Sequence, residues 1–162
     1  MNKYLYIKSL WLLGLLVVAL LVTSEAFAEV TAKPEKLIQW RQSAYRLSEW
    51  NVARIKSNLE GPYNKAEVQT AANTLASIAN SGLPTLFAPN TDKGKGWHET
   101  AARPEVFKDK AKFVELSNNF SKETLELVKV ATSSNDAAGI KEQFGKVTRT
   151  CKACHDDYKA ED

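Results

Sequence analysis

Residues 34–59, PEKLIQWRQSAYRLSEWNVARIKSNL, are the stretch from which the architecture follows. Ile38, Arg41, Tyr45, Ser48, Val52, Ile55 and Leu59 recur at alternating steps of three and four, which is the a/d pattern of a bundle helix. Pro34 suits the first turn and Gly61-Pro62 ends the run. A helix with one apolar stripe has to lay it against other helices. Two positions in the stripe, Arg41 and Ser48, are polar. A buried Arg41 calls for an anionic partner, because an unpaired charge is costly to bury. Otherwise it must snorkel to the surface along its aliphatic stem.

Three further helices follow. Asn64 and Glu67 give a capping-box-like start to a helix over residues 65–81, with Val68, Ala71, Ala72, Leu75, Ile78 and Ala79 as its inner face. Gly82 suits its C′ position and Pro84 prevents continuation. A third helix is expected from Pro104 to Thr132, with Phe113, Leu116, Phe120, Leu127 and Ala131 facing inward. Ser133-Ser134-Asn135-Asp136 reads as a turn and N-cap. The fourth helix spans Ala137 to Tyr158 along Ile140, Phe144, Val147, Cys151, Cys154 and Tyr158. No strand-like alternation competes. The expected fold is all-α, an antiparallel up-down-up-down four-helix bundle. Residues 83–102 read as a long loop, and a loop of about 20 residues inside a compact domain needs a reason, such as covering the edge of a cofactor.

Outside these helices the N-terminus reads as an export signal. Lys3 and Lys8 precede an apolar run from Leu10 to Val22, and Ala26-Phe27-Ala28 supplies a cleavage pattern. The run is 13 residues, short of the roughly 20 that span a bilayer. The expectation is a cleaved signal at 1–28 and one domain at 29–162, with no membrane segment after cleavage. The formal charge of +3 is too weak to indicate nucleic acid.

Cys151-Lys152-Ala153-Cys154-His155 falls on the stripe of the fourth helix. Residues three and four apart share a helical face. Two thiols so placed can add to the two vinyl groups of one haem edge, and His155 can then ligate the iron. Three other readings are weaker. A thioredoxin-like pair sits at a helix N-terminus rather than near a C-terminus. A structural zinc site needs about four ligands. A plain disulfide leaves His155 without a role. The cofactor expected is one haem c, bound covalently through Cys151 and Cys154. The only Met is Met1, so residues 29–162 hold none, and their only other imidazole is His98 in the loop. A His/Met-ligated haem is excluded by composition, and an open sixth position is expected. Arg41 then finds its anion in a haem propionate, with Gln42 adding a hydrogen bond. Tyr45, one turn further, either covers the distal face or is a core aromatic with its hydroxyl at the surface.

Trp40-Arg41-Gln42-Ser43-Ala44-Tyr45, Ala102-Arg103-Pro104-Glu105-Val106-Phe107 and Cys151 to Lys159 together resemble the cytochrome c′ family. The resemblance implies a five-coordinate haem with His155 proximal, Arg41 and Gln42 at the propionates and Tyr45 distal, although that last position is more often aliphatic in the family. Lys159 matches a basic residue near the proximal His, and Thr100 lies where it would approach a propionate. The resemblance further implies a periplasmic homodimer that binds NO and CO. The alternative is an electron-transfer cytochrome with partner redox proteins. No catalytic constellation points to an enzyme.

Overall fold

The computed structural model describes residues 32–161, so the expected signal segment and its cleavage site lie outside the described residues. Helix α1 runs Pro34–Glu60, with proline in its first turn and Glu35 beside the positive end of the dipole. Gly61 has extended backbone (φ −131°) that any residue adopts. Pro62 therefore sets the stop, since proline pushes its predecessor out of the helical region. Helix α2 runs Lys65–Ala79, and Asn64 Oδ1 accepts from Glu67 N at 3.2 Å. Only half of the expected capping box forms. The Glu67 carboxylate pairs with Arg54 Nε at 2.6 Å, and Asn58 Oδ1 accepts from Asn64 N at 2.8 Å in its place. The helix stops before Ser81, because Asn80 turns its amide onto Ala76 O at 2.7 Å and Gly82 enters the left-handed region at φ +84°.

The expected third helix is interrupted. A single turn, α3, spans Glu105–Lys108, and α4 spans Lys110–Ser133. Asp109 separates them: its Oδ1 accepts from Lys112 N at 3.2 Å, and its carbonyl accepts from Tyr158 Oη at 3.4 Å. A short acidic side chain that caps the following turn competes with continuous helix. Helix α5 runs Ala137–Tyr158, capped by Asp136 onto Gly139 N at 3.0 Å, as the sequence predicts.

The four long helices form an antiparallel bundle in which α1 packs on α2 and α5, and α4 packs on α2 and α5. The main core joins Ile55 of α1, Val68, Ala71, Ala72 and Leu75 of α2, Leu127 and Ala131 of α4, and Ile140, Phe144 and Val147 of α5. The alanines of α2 let the neighbouring helices come close. Asn51 and Asn58, also buried on α1, satisfy themselves on backbone carbonyls one turn back. Among the described residues no helix is long and apolar enough to cross a membrane.

The segment between α2 and α3 has more order than a plain loop. It opens with a 3-10 turn, Leu83–Leu86, and later folds back at an isolated bridge between Lys95 and Glu99. Its end is clasped to the end of α5, where Arg103 N donates to Tyr158 O at 2.9 Å and Ala160 N to Ala101 O at 2.8 Å.

Candidate haem-binding site

At the end of the bundle where α5 finishes, a second cluster forms from Val106, Phe113 and Tyr158, with Phe87, Phe107, Leu116 and Cys154 against it. Three edge-on ring contacts run across it: Tyr45 to Phe87 at 6.4 Å, Phe87 to Phe113 at 4.8 Å, and Phe113 to Tyr158 at 5.4 Å. Edge-to-face contacts of this kind stabilise by about 0.5–1.5 kcal/mol beyond their buried area. The series ties α1 through the 3-10 turn to α4 and then α5.

Cys151 and Cys154 lie on α5 as free, half-buried thiols. Burial pushes both thiols up, Cys154 to about 11 with Cys151 and Asp157 adding to the effect. Burial thus disfavours the thiolate on which a thioredoxin-like pair depends. His155, next in sequence, is exposed, and its pKa is lowered first by burial of the ring and then by Lys159, with Asp156 opposing. A lowered value favours neutral imidazole, the form that ligates metals.

Helix α1 supplies the other side. Burial pushes the Tyr45 phenol well above its ordinary value; Cys154 and Cys151 add to this and Arg41 opposes it. The hydroxyl is thus within electrostatic reach of both thiols and of the guanidinium. Tyr45 is 38% exposed as a whole.

Arg41 is buried one turn earlier. Its partners are neutral: Nη1 donates to Thr91 Oγ1 at 2.8 Å and to Leu86 O at 3.4 Å, while Nη2 donates to Thr91 O and to Thr100 Oγ1. The guanidinium also stands 4.7 Å from the centre of the Phe87 ring. Burial lowers its pKa, against the raising influence of Tyr45 and Asp92. Among the described residues no carboxylate forms an ion pair with it.

Gln42 holds the covering loop. Its Oε1 accepts from Trp97 N at 2.7 Å and its Nε2 donates to His98 O at 2.9 Å, so it grips the loop. His98 sits in that grip with Nδ1 against Glu99 O at 2.8 Å. Gly96 makes the approach possible: a Cβ there would come within 2.5 Å of Gln42 Oε1 and 2.7 Å of Gln39 N.

The structure thus brings together Arg41, Tyr45, Cys151 and Cys154, with His155 on the same helix as the thiols. Sequence reading missed Phe87 and Thr91. Leu86-Phe87, an apolar pair inside an otherwise polar segment, was the available sign of the first; Thr91 carried none.

The chemistry of the set suits a haem. It offers two free thiols one turn apart, an imidazole beside them, an aromatic wall, and a buried cation whose direct partners are neutral. Among the described residues no group of three or more His, Cys, Asp or Glu is placed to hold a bare metal ion.

Comparison with known proteins agrees. The family model for cytochrome c′ matches residues 36–159. The chain is 54% identical over 132 residues to cytochrome c′ of Rhodocyclus tenuis, covering 81% of this chain and 98% of that one. It is 40% identical, with a TM-score of 0.77, to a cytochrome c′ structure described as having an unusual ligand-controlled dimer dissociation, over 80% of this chain and 98% of the other. A nitric oxide complex of a variant cytochrome c prime from Alcaligenes xylosoxidans superposes with a TM-score of 0.70 at 30% identity, over 80% and 98% of the two chains. Bundle, motif and likeness together show that the chain belongs to the cytochrome c′ family of haem c proteins.

Proposed function

We propose that this protein is an exported, periplasmic gas-binding haem protein, chiefly for NO and also for CO. Its single haem c is held by thioethers to Cys151 and Cys154, with His155 as the proximal iron ligand and the opposite face left open beneath Tyr45. The observation that carries this reading is compositional: residues 29–162 contain no Met and one further His, and that His98 is engaged by Glu99 and Gln42 at the loop. The nitric oxide complex of the Alcaligenes xylosoxidans relative supports the choice of ligand. Export rests on the sequence pattern of residues 1–28.

When bound, haem supplies an iron that can take up a diatomic ligand or an electron. The chain's own residues determine what reaches it. Tyr45 brings bulk and one hydroxyl from α1. Phe87 and Phe113 keep the surroundings apolar and water-poor. Arg41 supplies positive charge for the propionates. Gln42 contributes by holding the covering loop. No residue is cast as a general acid, base or nucleophile, so the role is binding and not catalysis.

A homodimer fits the outer side of α1. Trp40 (47% exposed), Leu47 and Trp50 (55%) lie along it, and Trp97 (64%) rests there with Nε1 donating to Ser43 Oγ at 2.8 Å. An apolar face of this kind marks an interaction surface, and a related structure is described as a dimer. Electron transfer to a partner protein is the second reading, favoured by the exposure of His155 and Lys152 at the proximal edge.

The test is absorption and EPR spectroscopy of the purified haem-loaded protein, with and without NO. A high-spin five-coordinate haem that converts on adding NO is expected. A low-spin six-coordinate haem indifferent to NO would overturn the gas-binding reading.

A further inference from the structure

The contacts of Arg41 show an unusual division of labour. Thr91 is fully buried, and among the described residues it alone engages both terminal nitrogens of the guanidinium, Nη1 through its hydroxyl and Nη2 through its carbonyl. The hydroxyl proton of Thr91 is already committed to Ala88 O at 2.8 Å. What Oγ1 offers Arg41 is therefore a fixed acceptor and not a rotating group. Thr100 adds a second hydroxyl to Nη2, and its own oxygen is steadied by Ala102 N at 3.2 Å. A separate contact also holds the loop, Gln42 through Trp97 N and His98 O. The threonines are spent on aiming a charge.

We propose that Thr91, assisted by Thr100, is a positioning residue that aims the Arg41 guanidinium at the haem propionates and so sets the ferric/ferrous balance. This rests on the reading that Arg41 faces the propionates. A neutral cradle suits the task better than a carboxylate would. It orients the fork without placing a protein carboxylate in direct contact to compete with the propionates. A cation held near the haem favours the reduced state, which carries one more electron. That field weakens as the charge moves away or into water.

The experiment is spectroelectrochemical titration of the haem-loaded protein and its variants at fixed pH and ionic strength, with thermal unfolding in parallel. Thr91→Val keeps the shape and removes the acceptor. It is expected to shift the balance three- to tenfold toward ferric, at the upper end about 59 mV for one electron. Thr91→Ser restores the acceptor and is expected to stay within twofold of the parent. Arg41→Gln is expected to move the balance further than Thr91→Val in the same direction. If Thr91→Val fails to fold, Thr100→Val at the half-buried partner carries the same test, with a smaller shift in the same direction. If Arg41→Gln shifts the balance and the threonine-to-valine variants do not, Thr91 has only a structural role and the inference is overturned. The same holds if serine shifts the balance as valine does. If Arg41→Gln also leaves it unmoved, the reading of Arg41 at the propionates fails together with the inference.

Discussion

The two ends of the bundle are stabilised by different chemistry. Around Ile55, Leu75, Leu127, Ile140 and Val147 the core is mainly aliphatic, and its buried members come from the long helices. Around Phe113 and Tyr158 the packing is aromatic and edge-on, and it takes in a 3-10 turn, a single-turn helix and a covering loop. Here a buried guanidinium rests on hydroxyls and carbonyls and two thiols lie half open. One end completes itself, while the other gathers polar and reactive groups that suit a prosthetic group. In a small bundle, closure at one end releases the other from the duty of being a good core.

The sharpest attack on this contrast is to remove both thiols. Cys151→Ser with Cys154→Ser is expected to abolish covalent haem attachment altogether, read as loss of haem staining on a denaturing gel. Hydrogen exchange should then quicken in residues 83–109 and leave the middle of α2 protected. Equal loosening of both ends would break the comparison. Next in size is Leu127→Ala, a cavity in the self-sufficient end. It is expected to cost about 2–5 kcal/mol in chemical denaturation, with the haem spectrum unchanged. Tyr45→Ala should act on the other end alone: CO association, followed by stopped flow, is expected to quicken about tenfold, equivalent to roughly 1.4 kcal/mol of barrier. The smallest effect belongs to Glu67, whose carboxyl is held below its ordinary value chiefly by its hydrogen bond with Arg54. A depressed acid contributes stability above its unfolded value that fades as pH falls through the folded one. Glu67→Gln should therefore lower the denaturation midpoint slightly at neutral pH and have no effect in strong acid.

Much of the aliphatic end was legible in the sequence, because it depends on local signals. Proline at the start of α1, Asp136 before α5 and the three-four spacing of Ile and Val are properties of short windows. The bounds of α5 emerged as predicted for that reason. The interruption at Asp109 was not legible. The apolar spacing runs straight through it, and besides the local cap the break is held by Tyr158, 49 residues away. Asn51 and Asn58 escaped the stripe because polar residues score against burial until their carbonyl partners one turn back are known. At the other end the motif residues and Arg41 were readable as chemistry out of place: reactive or charged groups on an apolar stripe. Gln42 was readable as a site residue, but its hold on the loop was not, since nothing local indicates that residues 96–99 fold back onto α1. Thr91 was invisible for the same reason: a threonine in a loop has meaning only through a guanidinium 50 residues earlier.

The distribution of the indoles has an optical consequence. Trp40, Trp50 and Trp97 are all exposed on or against α1, and the fourth tryptophan, Trp11, precedes the bundle domain. Among the described residues, tryptophan emission therefore comes from that one flank and not from the packed interior. A colour change on mixing two copies, or on displacing the loop, can be read without any added label, whereas a cavity opened beside Leu127 would pass unseen.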